Sequence, residues 1–131
     1  MTKIEGLAEV VLMVSNVERS LQFYRDVLGM HLISPDLGGP VFLQVGEPRA
    51  GVPHQIVLVP RPQGLEPFPE RYKRNVHHIG LEVSAAALQE ERERLTRLGH
   101  EVRTGEHPFL AVEAIYVDDP DGNEIELVAK K

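Results

Sequence analysis

The sequence contains no cysteine. That excludes disulfide bonds and thiolate ligands, so any metal site must be built from His, Asp, Glu or Gln. Positive charge is also in short supply. Fourteen Lys and Arg stand against 20 Asp and Glu, for a net charge of -6 and a sequence pI near 5.5. Phosphate contacts need clustered Lys and Arg, so a nucleic-acid partner is not expected. The densest basic patch, Arg71, Lys73 and Arg74, is flanked by Glu66 and Glu70 and reads as a solvated segment. Long apolar runs are missing too. Val10 to Val14 is far too short to span a membrane, and the opening segment MTKIEGLAEV carries Glu5 and no apolar stretch, so no signal peptide is expected. These absences leave a soluble, cytoplasmic α+β protein, and with 42% apolar residues a core can form.

Strand and helix signals alternate in an order that occurs twice. Leu7 to Val14 reads as a strand, Asn16 as a helix cap, and Val17, Leu21, Tyr24 and Leu28 as one apolar helix face closed by Gly29. Met30 to Ile33, Val41 to Val45 and Gln55 to Val59 read as three further strands. They are separated by breaks at Pro35–Pro40 and Gly46–Pro53. The second half repeats the order. His78 to Val83 is a strand, Ser84 a cap, Leu88, Leu95 and Leu98 a helix face, and Gly99 its stop. Glu101 to Arg103, Ala111 to Val117 and Ile125 to Val128 are the closing strands. Val14 and Val83, and Ser15 and Ser84, lie 69 residues apart, and the Leu-Gly helix ends lie 70 apart. A near-constant offset through strand, cap and helix end points to a duplicated βαβββ unit. The expected division is module 1 at 1–60, a proline-rich linker at 61–75, and module 2 at 76–131.

If the modules are equivalent, Glu9 and His78, also 69 apart, occupy the same place in each first strand. Glu126 lies inside the apolar run Ile125-Glu126-Leu127-Val128, where an unpartnered carboxylate is costly to bury. The expected metal ligands are therefore Glu9, His78 and Glu126. One imidazole and two carboxylates suit Fe(II), Mn(II), Ni(II), Co(II) or Zn(II), and three protein ligands leave positions open for substrate oxygens. The counterpart of Glu126 in the first module is Val57, which cannot coordinate.

VLMVSNVERSLQFYRDVLGM (Val11 to Met30), VHHIGLEV (Val76 to Val83) and YVDDPDGNEIELV (Tyr116 to Val128) resemble the vicinal oxygen chelate superfamily. That superfamily includes glyoxalase I, fosfomycin- and bleomycin-resistance proteins and extradiol dioxygenases. The resemblance covers nearly the whole chain. It implies an α+β fold in which two βαβββ modules form a curved, partly open mixed sheet around a cleft, and it implies a homodimer. His78 and Glu126 match its ligand positions, and Glu9 stands where His or Gln is usual. Val57 stands near a fourth ligand of glyoxalase and epimerase relatives. Gln55, through a bulge, and His54 are the candidate replacements on the substrate side. Tyr116 resembles an active-site tyrosine of the dioxygenases, and His107 in the loop before that strand is a candidate general acid or base. The Asp119-Pro120-Asp121-Gly122 turn is structural.

The implied activity is metal-dependent chemistry on a small molecule with adjacent oxygens, either as a lyase or isomerase or as a ring-cleaving dioxygenase. The competing expectation is a drug-sequestering protein of the bleomycin-resistance kind. A fosfomycin-type thiol transferase would need a cationic pocket, and no basic cluster lies near the nominated ligands in the sequence.

Overall fold

The computed structural model describes residues 3–36, 39–47 and 54–131. Two compact units divide between Glu66 and Pro67. The breaks expected at Gly38 and over 48–53 lie outside the described residues.

In the first unit, β1 (Glu9–Val14) leads through a helix to β2 (His31–Leu32), β3 (Val41–Gln44) and β4 (Gln55–Pro60). The sheet order is β1-β4-β3-β2, with β1 parallel to β4 and the other pairs antiparallel. Alternation sets its faces: Glu9, Val11 and Met13 of β1 are exposed while Val14 is buried. Asn16 caps α1 (Val17–Leu21), accepting a hydrogen bond from the Arg19 amide at 2.9 Å. After one α-helical stretch the chain widens into a π-helix over Gln22–Val27. The wider turn buries the neighbouring Phe23 and Tyr24 together, edge to face with centroids 5.1 Å apart, beside Leu21. The expected stripe was therefore right at Leu21 and Tyr24, whereas Val17 and Leu28 are only half-buried. Gly29 closes the helix at φ 78, a left-handed conformation that glycine adopts without strain.

The second unit repeats the topology. β5 (Ile79–Glu82), β6 (Arg103–Glu106), β7 (Val112–Asp118) and β8 (Glu124–Lys130) form a sheet in the order β5-β8-β7-β6, with β5 parallel to β8. Its helix α2 (Ala85–Arg97) is capped by Ser84, whose hydroxyl accepts the Ala87 amide at 3.1 Å. Leu88 and Leu95 are buried with Ile115, Val117, Ile125, Leu127 and Ala129. Leu98, expected on the same face, is 56% exposed. At 3.6 residues per turn it lies about 60° round from Leu95, and the chain leaves the helix at Gly99. The register carries the duplication: Val11 pairs with Val57 on β1 and β4, and Gly80 with Glu126, each 69 residues on, on β5 and β8. The protein is thus α+β, with two open four-stranded mixed sheets.

The segment before β5 differs from a solvated linker. It holds a 3₁₀ turn, Arg71–Lys73, and Arg71 and Arg74 are half-buried within the second unit. Arg74 donates to the Asp121 carbonyl at 2.6 Å and to Asn123 Oδ1 at 2.9 Å. Asp119 builds that turn from inside, accepting the Asp121 amide at 2.9 Å and the Asn123 amide at 2.8 Å. Among the described residues no helix is long and apolar enough to cross a membrane.

Candidate metal centre

Alternation along β8 sends Ile125 and Leu127 into the core beneath α2 and puts Glu124 and Glu126 on the opposite face. Glu126 is 8% exposed and is flanked in register by Gly80 on β5 and Tyr116 on β7. Both neighbours shape its setting. A Cβ at position 80 would lie 2.7 Å from Glu126 Oε1, so glycine there gives the carboxylate its room. A Cβ at Gly105 would lie 2.7 Å from the Tyr116 ring, so a second glycine lets the phenol lean in. The Tyr116 hydroxyl donates to Glu126 Oε2 at 2.6 Å. Burial first, and then this bond, push the phenol up to about 12. Tyr116 is therefore a standing donor, not a base, near neutral pH.

With Oε2 engaged, Oε1 faces His78 Nε2 at 3.7 Å. The His78 ring meets Tyr116 edge-on, with centroids 5.8 Å apart. His78 lies just before β5, not in it, so it is not bound to strict alternation. Its neighbour His77 turns to the same side, and donor atoms of His77, His78 and Glu124 all lie within 4.8 Å of one another.

A charged cluster, none of it nominated from sequence, adjoins these groups. Arg71 donates to Asp118 and Glu124, and Arg103 donates to the same two carboxylates at 2.7 and 2.9 Å. Burial alone would raise the Asp118 carboxyl, but the hydrogen bonds from Arg71 and Arg103 prevail and hold it below the usual carboxylate range. These side chains, with His78 and Tyr116, line a cleft of about 390 Å³. A larger opening of about 480 Å³ lies between α2 and the β6–β7 edge. It is lined by groups such as Arg92, Glu106 and Lys131 and holds none of the candidate ligands. The smaller cleft is the one lined by His77, His78 and Glu124.

The remaining nominated residues make local contacts. Glu9, in the first unit, is exposed and its Oε2 accepts a hydrogen bond from Gln55 Nε2 at 2.8 Å. Gln55 pairs with Glu9 in regular register, without a bulge. Glu124 is the counterpart of Gln55, 69 residues on, so the duplication held a pointer to it. The His54 side chain is exposed, and its carbonyl accepts Gln44 Nε2 at 2.7 Å. His107 is exposed, and its Nδ1 accepts the amides of Phe109 at 3.1 Å and Leu110 at 3.0 Å, which closes a turn. The joint role of Arg71 and Arg103 escaped notice because 32 positions and a helix separate them in the chain.

A family model described as the Glyoxalase/Bleomycin resistance protein/Dioxygenase superfamily matches residues 6–127. The chain belongs to that superfamily. Solved structures agree with the glyoxalase-superfamily fold. An integron cassette protein from the mobile metagenome of the Halifax Harbour sewage outfall is 26% identical, with a TM-score of 0.73 over 96% of this chain and 99% of that one. Lactoylglutathione lyase from Agrobacterium tumefaciens is 22% identical, with a TM-score of 0.69 over 98% of this chain and 96% of that one. The fosfomycin resistance protein FosX from Listeria monocytogenes is 22% identical, with a TM-score of 0.70 over 98% of this chain and 95% of that one. At such identities the last two speak for the fold alone. No curated sequence matches the chain.

Members of the glyoxalase superfamily commonly use divalent metals, and the residues present fit one. An imidazole nitrogen and a carboxylate oxygen 3.7 Å apart can both reach one ion at bonds of about 2.0–2.2 Å. The carboxylate's second oxygen is held by Tyr116, and Gly80 keeps space open beside the first.

Proposed function

We propose that the chain is a metal-dependent enzyme of the glyoxalase/dioxygenase type, acting on a small molecule with adjacent oxygens, with His78 and Glu126 as metal ligands in the second unit. The observation that carries this reading is Glu126 itself. It is a buried carboxylate on a sheet face, one oxygen fixed by a neutral phenol and the other turned toward an imidazole. A buried carboxylate without a cationic partner is unfavourable, and His78 at 3.7 Å is too far for a hydrogen bond. A divalent ion, when bound there, supplies Lewis-acid polarisation of substrate oxygens and stabilises negative charge developing on them.

The chain's own residues then have distinct tasks. Tyr116 keeps its proton and holds Glu126 in one orientation. Arg71 and Arg103 are neutralised by Asp118 and Glu124, so they form a rigid polar wall and not an anion trap. That argues against a phosphonate substrate of the fosfomycin kind. We take the active form to be a homodimer, since Val11 and Met13 leave β1 half-exposed at 50% and 52%.

Metal analysis of protein purified without chelators, beside His78→Ala, is the test. Near-stoichiometric metal in the wild type and its loss in the variant support the enzyme. A wild type without metal, even after incubation with Zn(II), Ni(II) and Mn(II), sinks it in favour of a binding-only protein.

A further inference from the structure

The two ring nitrogens of His78 face different groups. Nε2 faces Glu126 Oε1 at 3.7 Å, and Nδ1 lies 2.8 Å from Nδ1 of His77. A gap of 2.8 Å between two imidazole nitrogens holds one proton, so one Nδ1 donates and the other accepts. If His78 is the donor, its Nε2 is a bare lone pair, which is the form a metal requires. If His77 is the donor, the His78 proton sits on Nε2 and points toward Glu126, at a distance too long for a hydrogen bond.

Metal-binding histidines almost always donate their second ring N–H to a carboxylate or carbonyl, which fixes the tautomer and the ring. The carboxylate close enough to serve here is Glu124, which clusters with both histidines. Its Oε2, however, accepts from Arg71 at 2.8 Å and from Arg103 at 2.9 Å. The group that lies at hydrogen-bond distance from His78 Nδ1 is the neighbouring imidazole, at 2.8 Å.

We propose that His77 is a positioning residue: its Nδ1 accepts the Nδ1–H of His78 and so holds His78 in the tautomer whose Nε2 is free to bind a divalent ion. The geometry stands on the protein alone, while its consequence for metal affinity rests on the metal reading above. His77 is exposed, so it can be replaced without disturbing the core.

The test reads the His78 ring directly, by ¹⁵N chemical shifts of metal-free protein at about pH 8.5, where ordinary imidazoles are neutral. In the wild type the proton is expected on Nδ1. In His77→Phe it is expected to redistribute to Nε2, and in His77→Asn, which keeps an acceptor oxygen near the same place, to return to Nδ1. Zn(II) affinity should fall about tenfold or more in His77→Phe and recover in His77→Asn. A His78 Nε2–H in the wild type, or a tautomer indifferent to His77→Phe, overturns the proposal. A wild type that binds no zinc overturns the metal reading, and the tautomer result still decides the role of His77.

Discussion

Tyr116 illustrates how one hydroxyl can order a site. Its bond to Glu126 Oε2 is short, charge-assisted and partly buried, which is the setting in which a hydrogen bond matters most. Tyr116→Phe should weaken Zn(II) binding about tenfold, measured by competition with a chromogenic chelator, because the carboxylate gains a second orientation. Folding keeps this phenol neutral, so its stabilisation is complete below about pH 10 and is lost as pH rises through about 12. Absorbance titration should show its phenolate appearing only as pH nears about 12, and an early phenolate would contradict the bond. Gly80 offers a sharper contrast. Gly80→Ala places a methyl 2.7 Å from Glu126 Oε1, the end of a flexible side chain. The fold should survive with a change within about 1 kcal/mol, while metal affinity drops, because the carboxylate must swing away. At this scale the sequence was only half legible. Glu126 stood out as an acid in an apolar run, but Gly80 carries no mark until the register of β5 and β8 places it opposite that acid.

Among the elements, the segment before β5 departs most from expectation. Its arginines read as a solvated patch because charge runs usually are one, and nothing local signalled acceptors 47 and 53 residues away at Asp118 and Glu124. Those bonds have a pH signature. The Asp118 carboxyl is held below its ordinary value, so the folded state binds fewer protons there than the unfolded state does. Its stabilisation is complete above about pH 4 and fades as pH falls through the depressed folded value. Asp118→Asn should flatten that part of the acid denaturation curve, and a curve of unchanged steepness would count against the network. Helix α2 was legible from its cap to its stop, since Ser84, the Leu88–Leu95 spacing and Gly99 are local signals. Its one misread position supplies a control. Leu95→Ala should cost about 2–5 kcal/mol in urea unfolding, and exposed Leu98→Ala within about 0.5 kcal/mol. Equal costs would mean that Leu98 is covered in solution.

For the whole molecule, the duplication was the most legible feature, because it is written as an offset and needs no contact to be seen. The 69-residue spacing of Val14 and Val83 reappears in the pairing of Val11 with Val57 and Gly80 with Glu126. The second sheet accordingly repeats the strand order of the first. What the offset does not carry is divergence: the same positions hold Val11 and Val57 in one unit, both apolar, and Gly80 and Glu126 in the other, shaped around a carboxylate. A functional centre built in the second unit should therefore couple metal to stability through that unit's residues. Anything that binds the folded chain alone stabilises it by mass action, about 2.7 kcal/mol at a hundred times the dissociation constant. Thermal unfolding with and without Zn(II) should show a Tm rise of several degrees in the wild type. That rise should vanish in His78→Ala and in Glu126→Gln, while Leu98→Ala keeps it in full. Glu9→Ala belongs in the same series, since the Tm rise it retains measures what the first unit's carboxylate adds. A rise that persists in both His78→Ala and Glu126→Gln would place the zinc elsewhere and remove the support for an enzyme centred on these two residues.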